Sequence, residues 1–352
     1  MNRGLSTVEN RQEKVMQRKE DSESVFNFGD LTIPIPAEDY EKVLGSELKS
    51  WLNKVESFDF QSFDGMKLHV YTACPDKPRG IVFFIHGFGE FFAKYYEFCA
   101  LLTHSGYAFV FPELRGHGLS GREVDNPDLV HIESYDLYVK DIKALVERLV
   151  KPLSSRLSVP AYIFSHSMGG AITALYLERY PEDFEKAILC APMLKMNLGN
   201  KELPILFWLS LRKLFRGGKS LAPTLKPFDE VPDFENSNCL SYERYITYFK
   251  MRVENPAYRT QVGTCAWVYA SIRATRKALR EAGRIRTPIL LLQAGLDRMV
   301  DNKAHEAFIQ KVKEQSQIEF VSFPASKHEL YSDSDAVITR FYRQILAFLE
   351  EA

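Results

Sequence analysis

Short apolar segments separated by helical stretches recur along this chain of 352 residues, and this rhythm constrains the fold more strongly than any other feature. The predicted buried strands are residues 81–85, 108–111, 162–164, 187–191, 288–294 and 318–323. Alternating strands and helices predict an α/β protein with a mostly parallel central sheet and helices on both of its faces. Ahead of this pattern, Asp64-Gly65 lies between two runs in which apolar and polar residues alternate, and this arrangement predicts a β-hairpin.

Two stretches of the chain do not follow this rhythm. Residues 1–50 begin with a polar, charged segment and continue through Pro34 and Pro36, which predicts an N-terminal extension that is partly mobile. Residues 194–285 contain helix-like segments but no convincing buried strand, and they lie between two predicted strands. We therefore expect a helical cap at 194–285, inserted into a core formed by residues 51–193 and 286–352.

Composition excludes several classes of function. The net charge of −1 gives no indication of nucleic-acid binding. The five cysteines are scattered without C-x-x-C spacing, so neither a disulfide framework nor a metal site is predicted, and a reducing compartment fits best. No signal-peptide core or run of about 18 apolar residues occurs, so we expect a cytoplasmic protein whose membrane contact is peripheral, at the inner face. The sequence leaves the oligomeric state open.

The pentapeptide 165–169, Ser-His-Ser-Met-Gly, follows a predicted strand and precedes a helix-like segment. A serine on a tight strand-to-helix turn is held where a substrate can reach it, and small residues on either side permit the turn. The pattern is that of a nucleophile elbow, G-x-S-x-G, with Ser165 in place of the first glycine. On its own, the pentapeptide fits a turn that caps a helix equally well, with Ser167 playing no chemical part.

A catalytic serine needs a base and a carboxylate that orients the base. His328 follows the last predicted strand and is the best candidate base, although a solvent-exposed loop histidine is the simpler reading. Asp297 follows the penultimate strand within three residues and is the best acid, whereas Asp301 is expected to cap the next helix. The order Ser167, Asp297, His328 along the chain is the order found in α/β-hydrolases.

Backbone donors for a developing oxyanion are expected at two places. The loop 86–90, His-Gly-Phe-Gly-Glu, directly follows the strand 81–85 and would supply the N–H of Phe88. The residue after the candidate nucleophile would supply the N–H of Met168. A second glycine-rich loop at 113–121 lacks the phosphate-loop pattern, and we expect it to brace the elbow while Arg115 makes internal ion pairs.

Taken in order, these motifs resemble a known family. They are H-G-x-G-E, the [DE]-x-R-G-H-G-x-S loop, S-H-S-M-G-G, a Gly-x-Asp loop and a late histidine. From about Phe58 onward the chain is similar to the α/β-hydrolases that include monoacylglycerol lipases and bacterial lysophospholipases, within them the lysophospholipase L2 group. The resemblance implies an α/β-hydrolase fold with a helical cap, a triad of Ser167, Asp297 and His328, and an oxyanion hole at Phe88 and Met168. It implies no metal or organic cofactor.

The cap is expected to decide what binds. Residues 195–219 interleave basic with apolar side chains, which would suit contact with an anionic bilayer and entry of an acyl chain. A cap helix that packs its apolar face on the core, with its basic residues solvated, fits the pattern somewhat better. In either case we predict that Trp208 and Trp267 contact the substrate.

The predicted function is hydrolysis of the acyl ester of single-chain lipids, such as lysophospholipids, through an acyl-enzyme. Monoacylglycerol lipase or general esterase activity is the alternative. A proline-iminopeptidase-like peptidase would need acidic groups in the cap to hold a free amine, but the early cap is basic. A non-catalytic binding protein is disfavoured because all three triad positions are filled.

Overall fold

The computed structural model of the chain describes residues 25–29, 31–198, 201–214, 217–222 and 226–351. Its strands, in chain order, are β1 (Phe26–Phe28), β2 (Leu31–Ile33), β3 (Glu56–Gln61), β4 (Lys67–Ala73), β5 (Gly80–Ile85), β6 (Tyr107–Pro112), β7 (Leu129–Val130), β8 (Ala161–His166), β9 (Lys186–Cys190), β10 (Val262–Gly263), β11 (Ile289–Ala294) and β12 (Ile318–Phe323).

The α-helices, in chain order, are α1 (Tyr40–Gly45), α2 (Glu47–Leu52), α3 (Tyr96–His104), α4 (Tyr135–Leu145), α5 (Lys151–Leu157), α6 (Met168–Leu177), α7 (Glu202–Leu214), α8 (Tyr242–Glu254), α9 (Cys265–Glu281), α10 (Lys303–Lys313) and α11 (Asp335–Glu350). A π-helical segment, Val146–Val150, joins α4 to α5. None of the helices in the described ranges has the length and apolar character needed to cross a bilayer.

Eight of the strands form one central sheet in the order β12-β11-β9-β8-β5-β6-β4-β3. The six strands from β12 to β6 run parallel to one another, and β4 and β3 pair antiparallel at one edge. The predicted α/β class is confirmed, because each of the six predicted buried strands forms within two residues of its expected bounds. The predicted hairpin is β3–β4, whose turn contains Gly65 at a φ of +84°.

Apolar layers cover both faces of the sheet. Successive residues of β5 point to opposite faces, so Phe83 joins the layer under α4, α6, α9 and α10, while Phe84 joins the layer under α3 and α11. Because both of their faces are buried, the central strands β5 and β6 are continuous apolar runs and do not alternate apolar with polar residues.

The segment before β3 also packs against this core. Tyr40, Leu48 and Trp51 are buried in the layer that contains α3 and α11. The indole of Trp51 donates a hydrogen bond to the Thr103 hydroxyl at 2.8 Å. The first 24 residues, where mobility is expected, lie outside the described residues, and the division into extension, core and cap stays a prediction.

The chain between β9 and β11 contributes α7, α8 and α9, together with β10, which pairs in parallel with the short strand β7. Helix α7 packs on α9, and α9 packs in turn on α6 of the core. Helix α8 lies instead against α1, so the chain between β9 and β11 contacts both α6 and the segment before β3.

Candidate active site

The turn between β8 and α6 places Ser167 just beyond the carboxyl end of β8, a central strand of the sheet. Ser167 has φ +51° and ψ −115°, a strained conformation for a residue with a side chain. Its N–H donates to the carbonyl of Cys190 at 3.0 Å, and its own carbonyl accepts from the N–H of Met193 at 2.8 Å. The chain leaving β9 therefore holds the strained turn in place.

Small residues are needed around this turn because backbones approach closely there. A Cβ atom on Gly169 would lie 2.0 Å from the carbonyl oxygen of Ile85, and one on Gly170 would lie 2.4 Å from the Cβ of Pro192. Ser165, which replaces the usual first glycine, is fully buried and donates its hydroxyl to the carbonyl of Ile188 at 3.3 Å. The departure from the motif is thus accommodated.

Asp297 and His328 meet at the ends of adjacent strands, β11 and β12. His328 Nδ1 lies 2.5 Å from Asp297 Oδ2, while Asp297 Oδ1 accepts from the N–H groups of Met299 (2.8 Å) and Val300 (3.1 Å). Burial alone would raise the pKa of Asp297, but the hydrogen bond and charge of His328, with the two N–H donors, hold it below its ordinary value. Asp297 is therefore suited to remain anionic and to keep a proton on His328 Nδ1.

Asp301 has a different environment, as the sequence predicted. Its carboxylate pairs with Lys195 Nζ at 2.8 Å and accepts from the N–H of Lys303 at the start of α10. It does not contact His328.

A cavity of about 920 Å³ brings most of the predicted residues together. Ser167, His328, Phe88, Trp208 and Trp267 line it, and Asp297 lies behind His328, outside the wall. The other apolar side chains of the wall are Met193, Met196, Leu198, Pro204, Ile205, Leu209, Ala222, Val262, Val268, Met299 and Val300. The Ser167 hydroxyl makes no hydrogen bond to a described residue, so it is not engaged by His328 in this structure.

The loop between β5 and α3 places Phe88 beside the elbow. Gly89 has φ +69°, and a Cβ atom there would lie 2.9 Å from the carbonyl of Thr260. The Phe88 ring packs on Trp267, with their centroids 4.4 Å apart, and no described residue accepts from the Phe88 N–H. Met168 occupies the first turn of α6, where an N–H has no intrahelical acceptor. The N–H of Phe88 therefore lies at the cavity wall without a described acceptor, and the oxyanion role of both N–H groups stays a prediction.

A buried Glu90–His166 pair, which sequence reasoning missed, braces three loops. Glu90 lies 3.1 Å from His166 Nδ1 and accepts from the hydroxyls of Tyr95 and Tyr331. His166 Nε2 lies 3.2 Å from the carbonyl of His328. Burial would lower the pKa of His166, but the neighbouring Glu90 raises it, and a protonated His166 can donate to both of its partners.

Lys94 extends this buried cluster toward the cap. Its ammonium lies 2.7 Å from Glu329 and 3.8 Å from Glu90. Burial would lower the pKa of Lys94, but Glu329 and Glu90 raise it, so the lysine remains charged and is already neutralised. The motifs H-G-x-G-E and S-H-S each contained one member of the cluster, but only the fold brings them together.

In the glycine-rich loop after β6, Arg115 makes the internal ion pairs that were predicted, while the bracing of the elbow by this loop stays a prediction. Arg115 is buried and pairs with Asp141 at 2.6 Å, with Asp64 at 3.0 Å and with Glu123 at 3.5 Å. Within the described ranges, no three His, Cys, Asp or Glu side chains are grouped so that they could hold a metal ion.

Comparisons with known proteins agree with this architecture. Residues 76–335 match the family model Hydrolase_4, described as serine aminopeptidase, S33. Over 302 residues the chain is 30% identical to lysophospholipase L2 of Escherichia coli K12, covering 85% of this chain and 82% of that protein. It is 24% identical to human monoglyceride lipase over 271 residues, covering 76% of this chain and 81% of that protein.

Solved structures share the fold at lower sequence identity. A thermostable carboxyl esterase from Bacillus coagulans, in complex with glycerol, has a TM-score of 0.68 at 18% identity, covering 84% of this chain and 97% of that one. A soluble variant of monoglyceride lipase from Saccharomyces cerevisiae has a TM-score of 0.65 at 18% identity, covering 84% and 94%. The chain is therefore a hydrolase that belongs to the Hydrolase_4 family of α/β-hydrolases.

Proposed function

We propose that this protein, a carboxylic-ester hydrolase, cleaves the acyl ester of lysophospholipids through an acyl-enzyme on Ser167. The observation that carries the proposal is the placement of His328, which is bonded to Asp297 on one side and faces the cavity of Ser167 on the other. A base held by a buried carboxylate beside a serine on a strained turn is the arrangement that nucleophilic acyl transfer requires.

The proposed reaction follows from these positions. His328 removes the Ser167 hydroxyl proton through Nε2, because Nδ1 is bonded to Asp297. The serine oxygen bonds to the ester carbonyl carbon, and the oxyanion accepts hydrogen bonds from the N–H groups of Phe88 and Met168. The carbon–oxygen bond of the ester then breaks, and the leaving alcohol takes the proton from His328. Water activated by His328 releases the fatty acid and restores Ser167.

The proposal requires that Ser167 and His328 come into hydrogen-bond contact when substrate binds. Hydrogen bonds between catalytic groups are often long in unliganded enzymes and tighten in the substrate complex.

The wall of the cavity supports a single-chain lipid as the substrate. The volume of the cavity lies within the roughly 300–1,000 Å³ range of small-molecule sites, and apolar side chains dominate its wall. Apolar walls favour an acyl chain because burying it removes hydrocarbon from water. The relatives named lysophospholipase L2 and monoglyceride lipase support the same class of substrate.

A peptidase is the second candidate, because the family model carries the description serine aminopeptidase. Binding a free amino terminus needs a carboxylate that is not already neutralised. Glu90 and Glu329 are the acids lining the cavity, and Lys94 and His166 already pair with them. Within the cavity of Ser167, this pairing favours the ester hydrolase over the peptidase.

A substrate panel with a nucleophile variant tests the proposal. The wild-type protein and Ser167→Ala are assayed on a lysophospholipid, a monoacylglycerol with the same acyl chain and a prolyl anilide. We expect the wild type to cleave the lipid esters in preference to the anilide, and Ser167→Ala to lose at least about 10³-fold in kcat while keeping the wild-type circular dichroism spectrum. Near wild-type turnover by Ser167→Ala would exclude the serine mechanism, and preference for the anilide would favour the peptidase.

We further propose a cytoplasmic protein that contacts the inner face of the membrane peripherally. The free cysteines Cys74, Cys99, Cys190, Cys239 and Cys265 support a reducing compartment. Cell fractionation would contradict this location if the protein were recovered outside the cytoplasmic and membrane-associated fractions.

A further inference from the structure

A second cavity, of about 670 Å³, adjoins the cavity of Ser167. Residues between 226 and 239 form one side of it and helix α8 forms another. The side chains and backbone shared by both cavities are those of Gly89, Lys94, Asn238, Arg252, Gln261 and Glu329. These six residues form the junction between the two spaces.

The junction lies next to the proposed reacting groups. Gly89 follows Phe88, whose N–H is a proposed oxyanion donor, and Glu329 follows His328. The part of an ester that leaves with its alcohol oxygen must lie close to His328, because the histidine protonates that oxygen. A substrate with its acyl chain in the larger cavity would therefore direct its head group into the second one.

Arg252 is the cation at this junction that has no acidic partner among the described residues. Its Nε donates to the carbonyl of Tyr258 at 3.2 Å, and Nη2 donates to the carbonyls of Arg259 and Thr260 at 3.3 Å and to the side chain of Gln261. Nη1 makes no hydrogen bond to a described residue. Burial, the largest influence, lowers the pKa of Arg252 to about 10, which leaves it cationic at neutral pH.

The neighbouring cations differ from Arg252 in this respect. Lys94 is neutralised by Glu329 and Glu90, as described above. Arg259, on the same stretch of chain, pairs with Glu230 at 2.9 Å and lines neither cavity. The Arg252 guanidinium is held by carbonyl oxygens and lies over the Phe228 ring at 4.4 Å, which leaves Nη1 without a hydrogen bond to a described residue. Such an arginine is well suited to bind a phosphate.

The rest of the second cavity suits the far end of a zwitterionic head group. Tyr245 and Phe249 line it together with the carboxylates Asp229 and Asp233. Aromatic faces and carboxylates both stabilise an ammonium group. A bare glycerol carries neither the anionic group that Arg252 would pair with nor the cationic group that this lining would stabilise.

We propose that the second cavity is a head-group subsite and that Arg252 selects a phosphodiester-bearing, single-chain lipid over an uncharged monoacylglycerol. The inference rests on the proposed function and deepens it, since it names the head group that the site prefers. Arg252 is a specificity-determining residue here, and it takes no part in the bond-breaking steps.

The test compares oleoyl lysophosphatidylethanolamine with oleoylglycerol, which share an acyl chain and differ in the phosphodiester. We expect the wild type to prefer the lysophospholipid in kcat/KM. In Arg252→Gln the ratio of the two kcat/KM values should fall about tenfold or more, mainly through KM for the lysophospholipid, because an ionic hydrogen bond is lost. Arg252→Lys should keep part of the preference, and Arg259→Gln, the matched control, should keep all of it.

Lys226→Gln provides a second, independent variant, because Lys226 lines the same cavity and is exposed. If Arg252→Gln fails to fold, a smaller fall of the same ratio in Lys226→Gln supports the subsite, and an unchanged ratio overturns it. Equal ratios in wild type and folded Arg252→Gln, or a wild-type preference for oleoylglycerol, also overturn it while leaving ester hydrolysis intact. A wild type that cleaves neither lipid would instead overturn the proposed function.

Discussion

Two aspartates in one loop separate a proposed catalytic role from a structural one. The Asp297 side chain is inaccessible to solvent and is bonded to His328, whereas Asp301, four residues later, pairs with Lys195 and accepts from the N–H of Lys303 at the start of α10. Both carboxylates have a pKa below the ordinary value. The contact with His328 is the difference that bears on the proposed chemistry, so a pair of substitutions can test its contribution.

We expect Asp297→Asn to lower kcat on the preferred ester by about 10³–10⁴-fold, because an amide no longer selects the productive His328 tautomer or stabilises its cation. Asp301→Asn, the matched control, should stay within a few-fold of wild type. Steady-state kinetics on both variants, with melting temperatures to verify folding, make the comparison. Similar losses in the two variants, or no loss in Asp297→Asn, would contradict the assignment of Asp297.

For single residues, the positions of Asp297 and His328 at strand ends made the proposed triad predictable, but the buried Glu90–His166 pair was not predictable. Asp297 and His328 each follow a buried strand, and the carboxyl ends of parallel strands share one edge of a sheet. Glu90 and His166 are far apart in sequence, and their pairing depends on how three loops converge. A charged residue in a loop is usually solvated, so nothing local indicated that Glu90 would be buried.

Among the elements, α7 combines a cavity wall with an exposed apolar stripe. Leu203, Phe207 and Leu211 are 68%, 69% and 41% exposed and recur every four residues, so they share one face of the helix. Trp208 and Leu209 on the same helix line the cavity of Ser167. The sequence suggested a packed apolar face with solvated basic residues, yet the helix presents apolar side chains on both sides. Of its predicted basic residues, Arg212 lies over Trp208 at 5.0 Å, and the side chain of Lys213 and all of Arg216 lie outside the described residues.

We propose that this stripe contacts a lipid surface, because the same helix would then link the bilayer to the acyl cavity. Phe207→Ser should lower partitioning onto phosphatidylglycerol-containing vesicles about tenfold, since it removes a large apolar side chain from the contact. Phe320→Ser, at an exposed aromatic on β12, is the control and should partition like wild type. Vesicle co-sedimentation measures both, and equal partitioning of Phe207→Ser and wild type would contradict the contact.

Most strands of the parallel sheet were predictable as elements because they are apolar runs bounded by turn residues, and the hairpin was predictable because its two strands alternate on either side of Asp64-Gly65. The packing of residues 31–52 was not, since that segment shows no clear helical or strand period and contains two prolines. Its order depends on a few isolated contacts, such as the hydroxyl of Tyr40 at 2.8 Å from that of Tyr248 on α8. Contacts of this kind leave no periodic signal in a sequence.

For the whole molecule, one buried arginine joins α8 to three distant parts of the chain. Arg244 on α8 forms two 3.1 Å contacts with Glu97 on α3 and one of 3.1 Å with Asp335 on α11. Its Nη2 donates to the carbonyl of Ile35 at 2.8 Å, and the N–H of Ile35 donates to Glu97 at 2.6 Å. Four distant parts of the chain therefore meet at one guanidinium.

Removing that guanidinium should reduce the free energy of unfolding more than any exposed ion pair could. We expect Arg244→Met to cost about 3–5 kcal/mol, because Glu97 is left charged and buried without its partner. Adding Glu97→Gln should recover part of the loss, since a neutral amide is less costly to bury. Lys250→Met, on the same helix but paired with the exposed Glu41, is the control and should change stability little. Urea unfolding followed by circular dichroism gives all four values, and a stability of Arg244→Met equal to that of Lys250→Met would show that the cluster does not hold α8 to the core.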